Sequence, residues 1–172
     1  MKVELATLQE NEKERFITEI QAAFKSGYVA EYGETDEEII PREDVINSFA
    51  EEGAESYNIL CDGEFAGGTV VKINSDTKIN ELLLLFIKVG NHSKGLGLAA
   101  WQAIEKLYPD TKIWETCTPY FEKRNLHFYI NKLGFHAVEF YNPCHKMENP
   151  PEEIQGGDYF FRFAKFMKGE IL

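Results

Sequence analysis

The sequence predicts an α/β fold of the α+β type, in which a mixed, mainly antiparallel twisted sheet of about six to seven strands is flanked by about four helices. Stretches with helical or strand periodicity follow one another in the order α-α-β-β-β-α-β-α-β-β. Short Asp-Gly and Asn-Ser-Asp-Thr segments separate the first three strands, and such segments favour antiparallel hairpins. The fold class follows from that order and those turns.

Length and composition indicate one domain spanning residues 1–172. The chain has 44% hydrophobic and 13% aromatic residues, enough for a packed core. A net charge of −11 argues against a nucleic-acid partner, because phosphate binding needs a basic surface. We find no apolar run of about 18 residues, so we expect no membrane span. Three widely spaced cysteines favour reduced thiols and a cytoplasmic location.

The first helix is predicted from apolar residues that lie on one helical face. Leu5, Leu8, Phe16, Ile20 and Phe24 share that face, which predicts a helix over 10–25 that Gly27 ends. The other predicted elements are a helix from Pro41 to Gly53, strands at 57–61, 65–73 and 81–89, a helix at 98–107, a strand at 112–117, a helix at 122–133, and strands at 135–141 and 159–167.

A glycine loop joins the apolar strand 81–89 directly to the helix 98–107. Gly95 and Gly97 have no Cβ, so a ligand can approach the backbone closely. The amides of a first helical turn are unpaired and carry the positive end of the helix dipole. The arrangement is suited to hold a pyrophosphate or another anion.

Two motifs together resemble the GNAT-type N-acetyltransferases. Residues 92–97, His-Ser-Lys-Gly-Leu-Gly, resemble the phosphate loop of that family, which prefers Arg or Gln, two residues, Gly, one residue, then Gly or Ala. Residues 125–135 resemble its second cofactor motif, with a Phe-Tyr pair and a terminal Gly-Phe. The resemblance covers about a third of the chain, and the predicted order of the other elements agrees with a single GNAT-like domain.

The resemblance implies acetyl-CoA as cosubstrate and no metal. The end of strand 81–89 would pair its main chain with the pantetheine arm, and the amides of 94–99 would hold the pyrophosphate. The cofactor-binding residues implied in this way are Ile87, Val89, His92, Lys94, Gly95, Leu96, Gly97, Leu98, Ala99, Asn125 and Tyr129.

The sequence departs from the family pattern at two positions. His92 stands where the family prefers Arg or Gln, and an imidazole has less reach than a guanidinium. Many members carry Asn several residues before the Phe-Tyr pair, but Glu122 falls near that register here. Asn125 lies closer to the pair, and it either faces the cofactor or lies on the helix surface.

Acyl transfer to an amine requires a base, a stabilised carbonyl oxygen and an acid for the departing thiolate. The resemblance implies direct attack of the amine, with Tyr129 as the acid. It implies Glu81 as the base, fourteen positions before Gly95. Glu115 on the neighbouring strand is the competing base.

Other reactive residues are interpreted as structural. Cys144 and His145 lack the paired spacing of a metal site. Cys117 has no adjacent base in the sequence and is interpreted as a small buried core residue. Trp101 and Trp114 are also assigned to the core.

The acceptor is predicted from charge alone. By resemblance, segments 27–55 and 142–158 frame its site, and both are rich in Asp and Glu. We expect a primary amine on a small, cationic molecule, because a cleft of one charge concentrates the opposite charge. The alternatives are a protein or peptide amine, and a CoA-binding regulatory module without turnover. A homodimer remains an alternative to a monomer.

Overall fold

The computed structural model describes residues 1–91, 95–148 and 159–169. Within them, seven strands form one sheet in the order β1-β2-β3-β4-β5-β7-β6. Every neighbouring pair is antiparallel except β4 and β5, which are parallel. The strands are β1 Val3–Thr7, β2 Ala54–Cys61, β3 Glu64–Lys72, β4 Ile79–Ile87, β5 Ile113–Pro119, β6 His136–Tyr141 and β7 Phe160–Phe166.

Four α-helices flank the sheet in the described residues. They are α1 Lys13–Tyr32, α2 Arg42–Ala50, α3 Leu96–Leu107 and α4 Lys123–His127, and α4 continues as a π-helix over Phe128–Lys132. The predicted fold class is confirmed, since a mixed, mainly antiparallel sheet is flanked by four helices. A π-helix is rare and is often found at a functional site.

The N-terminal strand β1 corrects the sequence analysis. Val3 pairs with Cys61, and Thr7 pairs with Tyr57 on β2. The assignment of Leu5 to a helical face is therefore wrong. A spacing of three between Leu5 and Leu8 fits a helix, but Val3 and Leu5 also alternate as a strand requires. The open edge of β2 decides between the two, because pairing there satisfies its main-chain groups.

The first helix is longer than predicted. It runs through Gly27 to Tyr32 and ends at Gly33, whose φ of 91° favours glycine. Gly27 lies inside the helix. A Cβ there would make an ordinary contact of 3.5 Å with a guanidinium nitrogen of Arg124, so packing at this position does not require glycine.

Two predicted turns are confirmed. Asp62 and Gly63, with φ of 51° and 86°, form the two-residue connection between β2 and β3. The Asn74 side chain accepts hydrogen bonds from the amides of Asp76 and Thr77, at 3.1 and 3.0 Å. This Asx-type turn leads towards β4.

The core consists of one apolar layer on each face of the sheet. Val70 and Val71 are adjacent in β3 and belong to different layers, because successive side chains of a strand point to opposite faces. Residues of α1 and α2 complete the layer that contains Val70. The other layer includes α3, the π-helix, and Trp101 and Trp114, whose rings are 5.3 Å apart. The assignment of both tryptophans to the core is confirmed.

Gly68 packs tightly against the apolar layer that contains Val70 and residues of α1, so Gly68→Ala should destabilise the protein. An added Cβ would overlap the Phe16 ring and lie 2.7 Å from its Cδ2 and 2.8 Å from Cε1 of Phe86. Phe16 is fully buried and makes edge contacts with Phe49 and Phe86, so the ring has little room to move. We expect a loss of about 1–3 kcal/mol in the free energy of unfolding, measured by urea denaturation.

The control is a double-mutant cycle with Phe16→Leu. The smaller side chain leaves room for the new methyl group, so the combined loss should be smaller than the sum of the two single losses. Strictly additive losses would show that the Phe16 ring does not limit position 68.

Candidate functional site

The site is organised by the divergence of β4 and β5. The two strands pair only over Ile79–Glu81 and Ile113–Glu115. Immediately beyond that pairing, the Thr116 hydroxyl donates a 2.8 Å hydrogen bond to the Leu82 carbonyl. A bulge at Leu83 adds a local bend, because Val70 pairs with Leu84 and Val71 pairs with Leu82. From there to Ile87, no register pair with β5 is found in the described residues.

A cleft of about 580 Å³ lies along this free edge of β4 and is called the first cleft. It is bordered by α1, β4, the start of α3 and α4. Of the sequence-predicted cofactor residues, Ile87, Leu96, Gly97 and Asn125 line it. The structure therefore brings together residues from both sequence motifs at one opening.

The start of α3 supplies free main-chain amides to the first cleft. Gly95 caps the helix with φ of 95°, a conformation that favours glycine. The Ala99 amide donates the first helical bond, to the Gly95 carbonyl at 2.9 Å. The amides of Leu96, Gly97 and Leu98 precede it and have no helical acceptor, so they are available to a ligand. The helix begins two residues earlier than predicted.

Gly97 has a packing role that the sequence did not indicate. A Cβ there would lie 3.1 and 3.2 Å from two atoms of the Phe128 ring, which also lines the first cleft. The bare backbone at this position therefore brings α3 and α4 close together.

Three other predicted cofactor residues are not among those that line the first cleft. Val89 is 43% exposed, follows the end of β4 and does not line the first cleft. Leu98 packs against the core layer, and Ala99 is half-buried. His92 and Lys94 lie outside the described residues.

Tyr129 occupies a buried position at the divergence. Its ring is 7% exposed and packs against Phe135 and Phe163, with ring centres 5.8 and 5.9 Å away. Burial raises the pKa of Tyr129 to about 12, the nearby Thr116 hydroxyl opposes the increase, and the Glu122 and Cys117 groups add to it.

The groups that raise the pKa of Tyr129 line two different clefts. Glu122 lines the first cleft, and Cys117 lines another cleft beside β5. The Tyr129 hydroxyl is therefore within electrostatic range of one residue from each cleft. Tyr129 itself lines neither of them in the described part of the chain.

The cleft on the other side, called the second cleft, has a volume of about 470 Å³. It is lined by residues of β4, β5, β6 and β7 and by the segment after β6. Four carboxylates face it, from Glu81, Glu115, Glu139 and Glu148. Of these, only Glu148 belongs to the acidic segments that the sequence analysis placed around the acceptor. The strands themselves supply the other three.

Glu81 is half-buried in the second cleft. Burial raises the pKa of its carboxyl above the ordinary value, the Lys72 ammonium opposes the increase, and the Glu51 and Glu115 carboxylates add to it. A carboxylate with raised proton affinity is better matched to accept a proton near neutral pH. The sequence-predicted base therefore lies in an environment suited to that role.

Arg162 connects two of the other carboxylates. Its Nη1 donates to Glu115 and its Nε donates to Glu139, both at 2.8 Å. His145 Nε2 lies 2.7 Å from the second oxygen of Glu139, and the Tyr141 hydroxyl donates to the first at 2.8 Å. Hydrogen bonds from His145, Arg162 and Tyr141 lower the pKa of Glu139 to about 2.

The interpretation of Cys117 as a buried core residue is wrong. Its side chain is exposed at the second cleft, because β5 diverges from β4 at this point. The cleft walls nevertheless remove much of the water around the sulfur, which raises the pKa of the Cys117 thiol to about 11, and the Glu81 carboxylate adds to the increase. The thiol therefore stays protonated at neutral pH and is a poor nucleophile.

Cys144 and His145 have different surroundings. His145 pairs with Glu139, and Cys144 is exposed. Within 1–91, 95–148 and 159–169, we find no group of three or more His, Cys, Asp or Glu side chains placed to hold a metal ion.

Several residues that line the two clefts were not predicted as site residues from the sequence. Phe24 and Gly27 of α1, and Arg124 and Lys132 near the second motif, line the first cleft. The basic residues could have been predicted, because Lys and Arg within or one turn from a cofactor motif can face an anionic ligand. No sequence pattern indicates that α1 packs beside this motif. Arg162 was assigned only to a strand, since its carboxylate partners lie 23 and 47 positions away in sequence.

Comparison with known proteins gives one full-length relative with high identity. The uncharacterized protein YrkN of Bacillus subtilis (strain 168) is 46% identical over 177 residues, covering 97% of this chain and 95% of YrkN. No family model matches the chain. None of the helices in the described ranges combines the length and apolar character that a bilayer span requires.

Solved structures with low sequence identity share the fold. The ribosomal-protein-S18-alanine N-acetyltransferase of Escherichia coli matches with a TM-score of 0.64 at 12% identity and covers 99% of both chains. AAC(6')-Ib in complex with ribostamycin and coenzyme A matches with a TM-score of 0.67 at 16% identity, covering 97% of this chain and 94% of that one. Other matches of this kind include an acetyltransferase described as a member of the GNAT family.

The sequence motifs, the divergence of β4 and β5 and these matches agree with one another. The chain belongs to the same family as YrkN and has the GNAT-type N-acetyltransferase fold.

Proposed function

We propose that this protein is an N-acetyltransferase that moves an acetyl group from acetyl-CoA to a primary amine of a small cationic molecule. One observation carries the proposal: the amides at the start of α3 and the free edge of β4 open into one cleft, and a half-buried carboxylate lies in a second cleft across the same divergence. Substrates held in these two clefts would both lie beside the point where β4 and β5 separate.

The residues of the first cleft fit coenzyme A. The amides of Leu96, Gly97 and Leu98 suit the pyrophosphate, and the edge of β4 up to Ile87 suits an amide-containing arm that pairs like a strand. AAC(6')-Ib, which shares the fold, was solved with coenzyme A. When bound, acetyl-CoA supplies an activated thioester carbonyl.

The proposed reaction is direct transfer without a covalent enzyme intermediate. Glu81 accepts a proton from the acceptor ammonium, directly or through a water, and the free amine forms the new C–N bond. The C–S bond breaks, the departing sulfur takes the proton of the Tyr129 hydroxyl, and the second proton that the amine nitrogen loses on becoming an amide returns to the Tyr129 oxygen, directly or through a water. Burial raises the pKa of Tyr129 to about 12, so the phenol is protonated at neutral pH and has a proton to give.

Charge and size of the second cleft support a small cationic acceptor. Its four carboxylates outnumber the two permanent cations that line it, Arg162 and Lys146. A net negative cleft attracts an ammonium. The fold alone does not indicate which acceptor is used. The same fold occurs in a protein solved with the small molecule ribostamycin and in one named for ribosomal protein S18. A volume of about 470 Å³ is typical of a small-molecule pocket.

Gly97→Val should weaken coenzyme A binding by at least about tenfold, measured by calorimetry. The new side chain presses on Phe128 and narrows the first cleft beside the free amides. Gln102→Val places the same residue at an exposed position of the same helix and should bind normally. Wild-type affinity in a folded Gly97→Val variant would remove the α3 amides from the proposal. In the wild type, coenzyme A at about 100 times its Kd should raise stability by about 2.7 kcal/mol.

Tyr129→Phe should lower kcat by about 10²-fold or more and leave coenzyme A affinity unchanged. The ring contacts with Phe135 and Phe163 remain, and only the hydroxyl is lost. Tyr120→Phe removes a hydroxyl from a residue that is 57% exposed and should keep full activity. Equal kcat values for the two variants would exclude Tyr129 as the acid.

Cationic amines should be preferred in an acceptor panel that follows release of free coenzyme A. The advantage over neutral and anionic amines should shrink as salt rises, since the screening length falls to about 8 Å at physiological ionic strength. A preference for anionic acceptors, or rates that do not change with salt, would contradict the acceptor assignment. Binding of coenzyme A without turnover of any amine or peptide would favour the regulatory module.

A further inference from the structure

We infer that Arg162 is a positioning residue that pairs with Glu115 and thereby leaves Glu81 as the carboxylate that accepts the proton of the acceptor. The inference rests on the proposed function, in which the second cleft holds the amine. Glu81 and Glu115 are the two candidate bases, and the geometry of the strands alone does not distinguish them.

The two acids are equivalent in backbone position. Glu81 and Glu115 form the last register pair of the parallel strands β4 and β5 before the divergence. Partners in a register pair project from the same face of the sheet, and both side chains line the second cleft. Two like charges at one site raise the proton affinity of at least one member and titrate as a coupled pair.

Arg162 breaks this equivalence from β7. Its guanidinium is always charged and has donors in a fixed fork. One branch donates to Glu115 and the other donates to Glu139, both at 2.8 Å. Glu139 is itself held by His145 at 2.7 Å and by the Tyr141 hydroxyl at 2.8 Å. The guanidinium is therefore anchored on one side while it pairs with Glu115 on the other.

Glu81 keeps its oxygens available. Among the residues that the structure describes, no donor forms a hydrogen bond or an ion pair with its carboxylate. The charged and titratable groups that face it are Lys72 on β3, Glu51 after α2, and Glu115 and Cys117 on β5. Lys72 already pairs with Glu51 at 2.9 Å, so its charge is shared.

The consequence is a difference in role between two identical side chains. A carboxylate that accepts a charge-assisted hydrogen bond from arginine has one oxygen occupied by that donor and is held against it. A half-buried carboxylate without such a partner has a higher affinity for protons and room for the amine or a water. Arg162 therefore directs the acceptor proton to Glu81 by pairing with Glu115.

The experiment is a carbon-13 NMR titration of the Glu81 and Glu115 side-chain carboxyls in the free protein. In Arg162→Gln, Glu115 becomes an unpaired anion beside Glu81, so the pKa of Glu81 should rise by about one unit. In Glu115→Gln, the guanidinium loses a partner and one negative charge is removed, so the pKa of Glu81 should fall. The double variant should return towards the wild type.

The expected changes in the pKa of Glu81 have opposite signs in the two variants, so either variant alone can test the inference. If Arg162→Gln does not fold, the decrease in Glu115→Gln still tests the pairing. Arg42→Gln removes an arginine that pairs with Glu14 on α1 and should leave both titrations unchanged. Unchanged Glu81 titration in folded Arg162→Gln and Glu115→Gln would overturn the inference.

The pH dependence of kcat/KM supplies a second readout. The base must be ionised, so kcat/KM falls as pH decreases through its pKa. The acid limb should shift to higher pH in Arg162→Gln, to lower pH in Glu115→Gln, and vanish in Glu81→Gln. Arg162→Lys should lie between Arg162→Gln and the wild type, because one ammonium cannot span both carboxylates.

The two proposals fail in distinguishable ways. Absence of turnover with every acceptor would refute the proposed function, whereas the NMR titration would still test the role of Arg162. A normal acid limb in Glu81→Gln would refute Glu81 as the base. An unshifted limb in a folded, active Arg162→Gln variant would refute the role of Arg162.

Discussion

The separation of β4 from β5 is the constraint on which the rest of the structure depends. A parallel pair that ends after three register positions leaves main-chain groups of β4 without a strand partner. Thr116 satisfies the first of them with its hydroxyl. The remainder face a cleft bordered by the start of α3, where further amides are free. Both sets of unsatisfied groups therefore favour a polar, extended ligand between α3 and α4.

The same divergence creates two chemically different openings. The first cleft is formed by helices packed against the β4 edge, and the second is formed by the strand ends of β4 to β7. Tyr129 lines neither opening, because the π-helix places its ring in the core and its hydroxyl near Thr116.

Charge in the second cleft is arranged by register. β4 and β5 place Glu81 beside Glu115, and β7 places Arg162 against the second of them. A shift of one residue in β7 would turn Arg162 to the other face of the sheet, where it could not reach Glu115. Strand pairing therefore decides which carboxylate stays free.

Local features of the sequence determined the sheet class, the hairpin at Asp62 and Gly63, and the glycine-led start of α3. Each depends on residues that are close in the chain: a positive φ at Gly95, an Asp-Gly turn and an apolar run with a fixed period. Only the tertiary structure decided that residues 3–7 form a strand, that α1 continues through Gly27, and that Cys117 faces a cleft. The first and last of these depend on partners distant in sequence, the β2 edge and the path of β5 away from β4. The helix ends instead at Gly33, where a positive φ favours glycine. Local periodicity is satisfied equally well with or without those partners, so the sequence alone could not distinguish the alternatives.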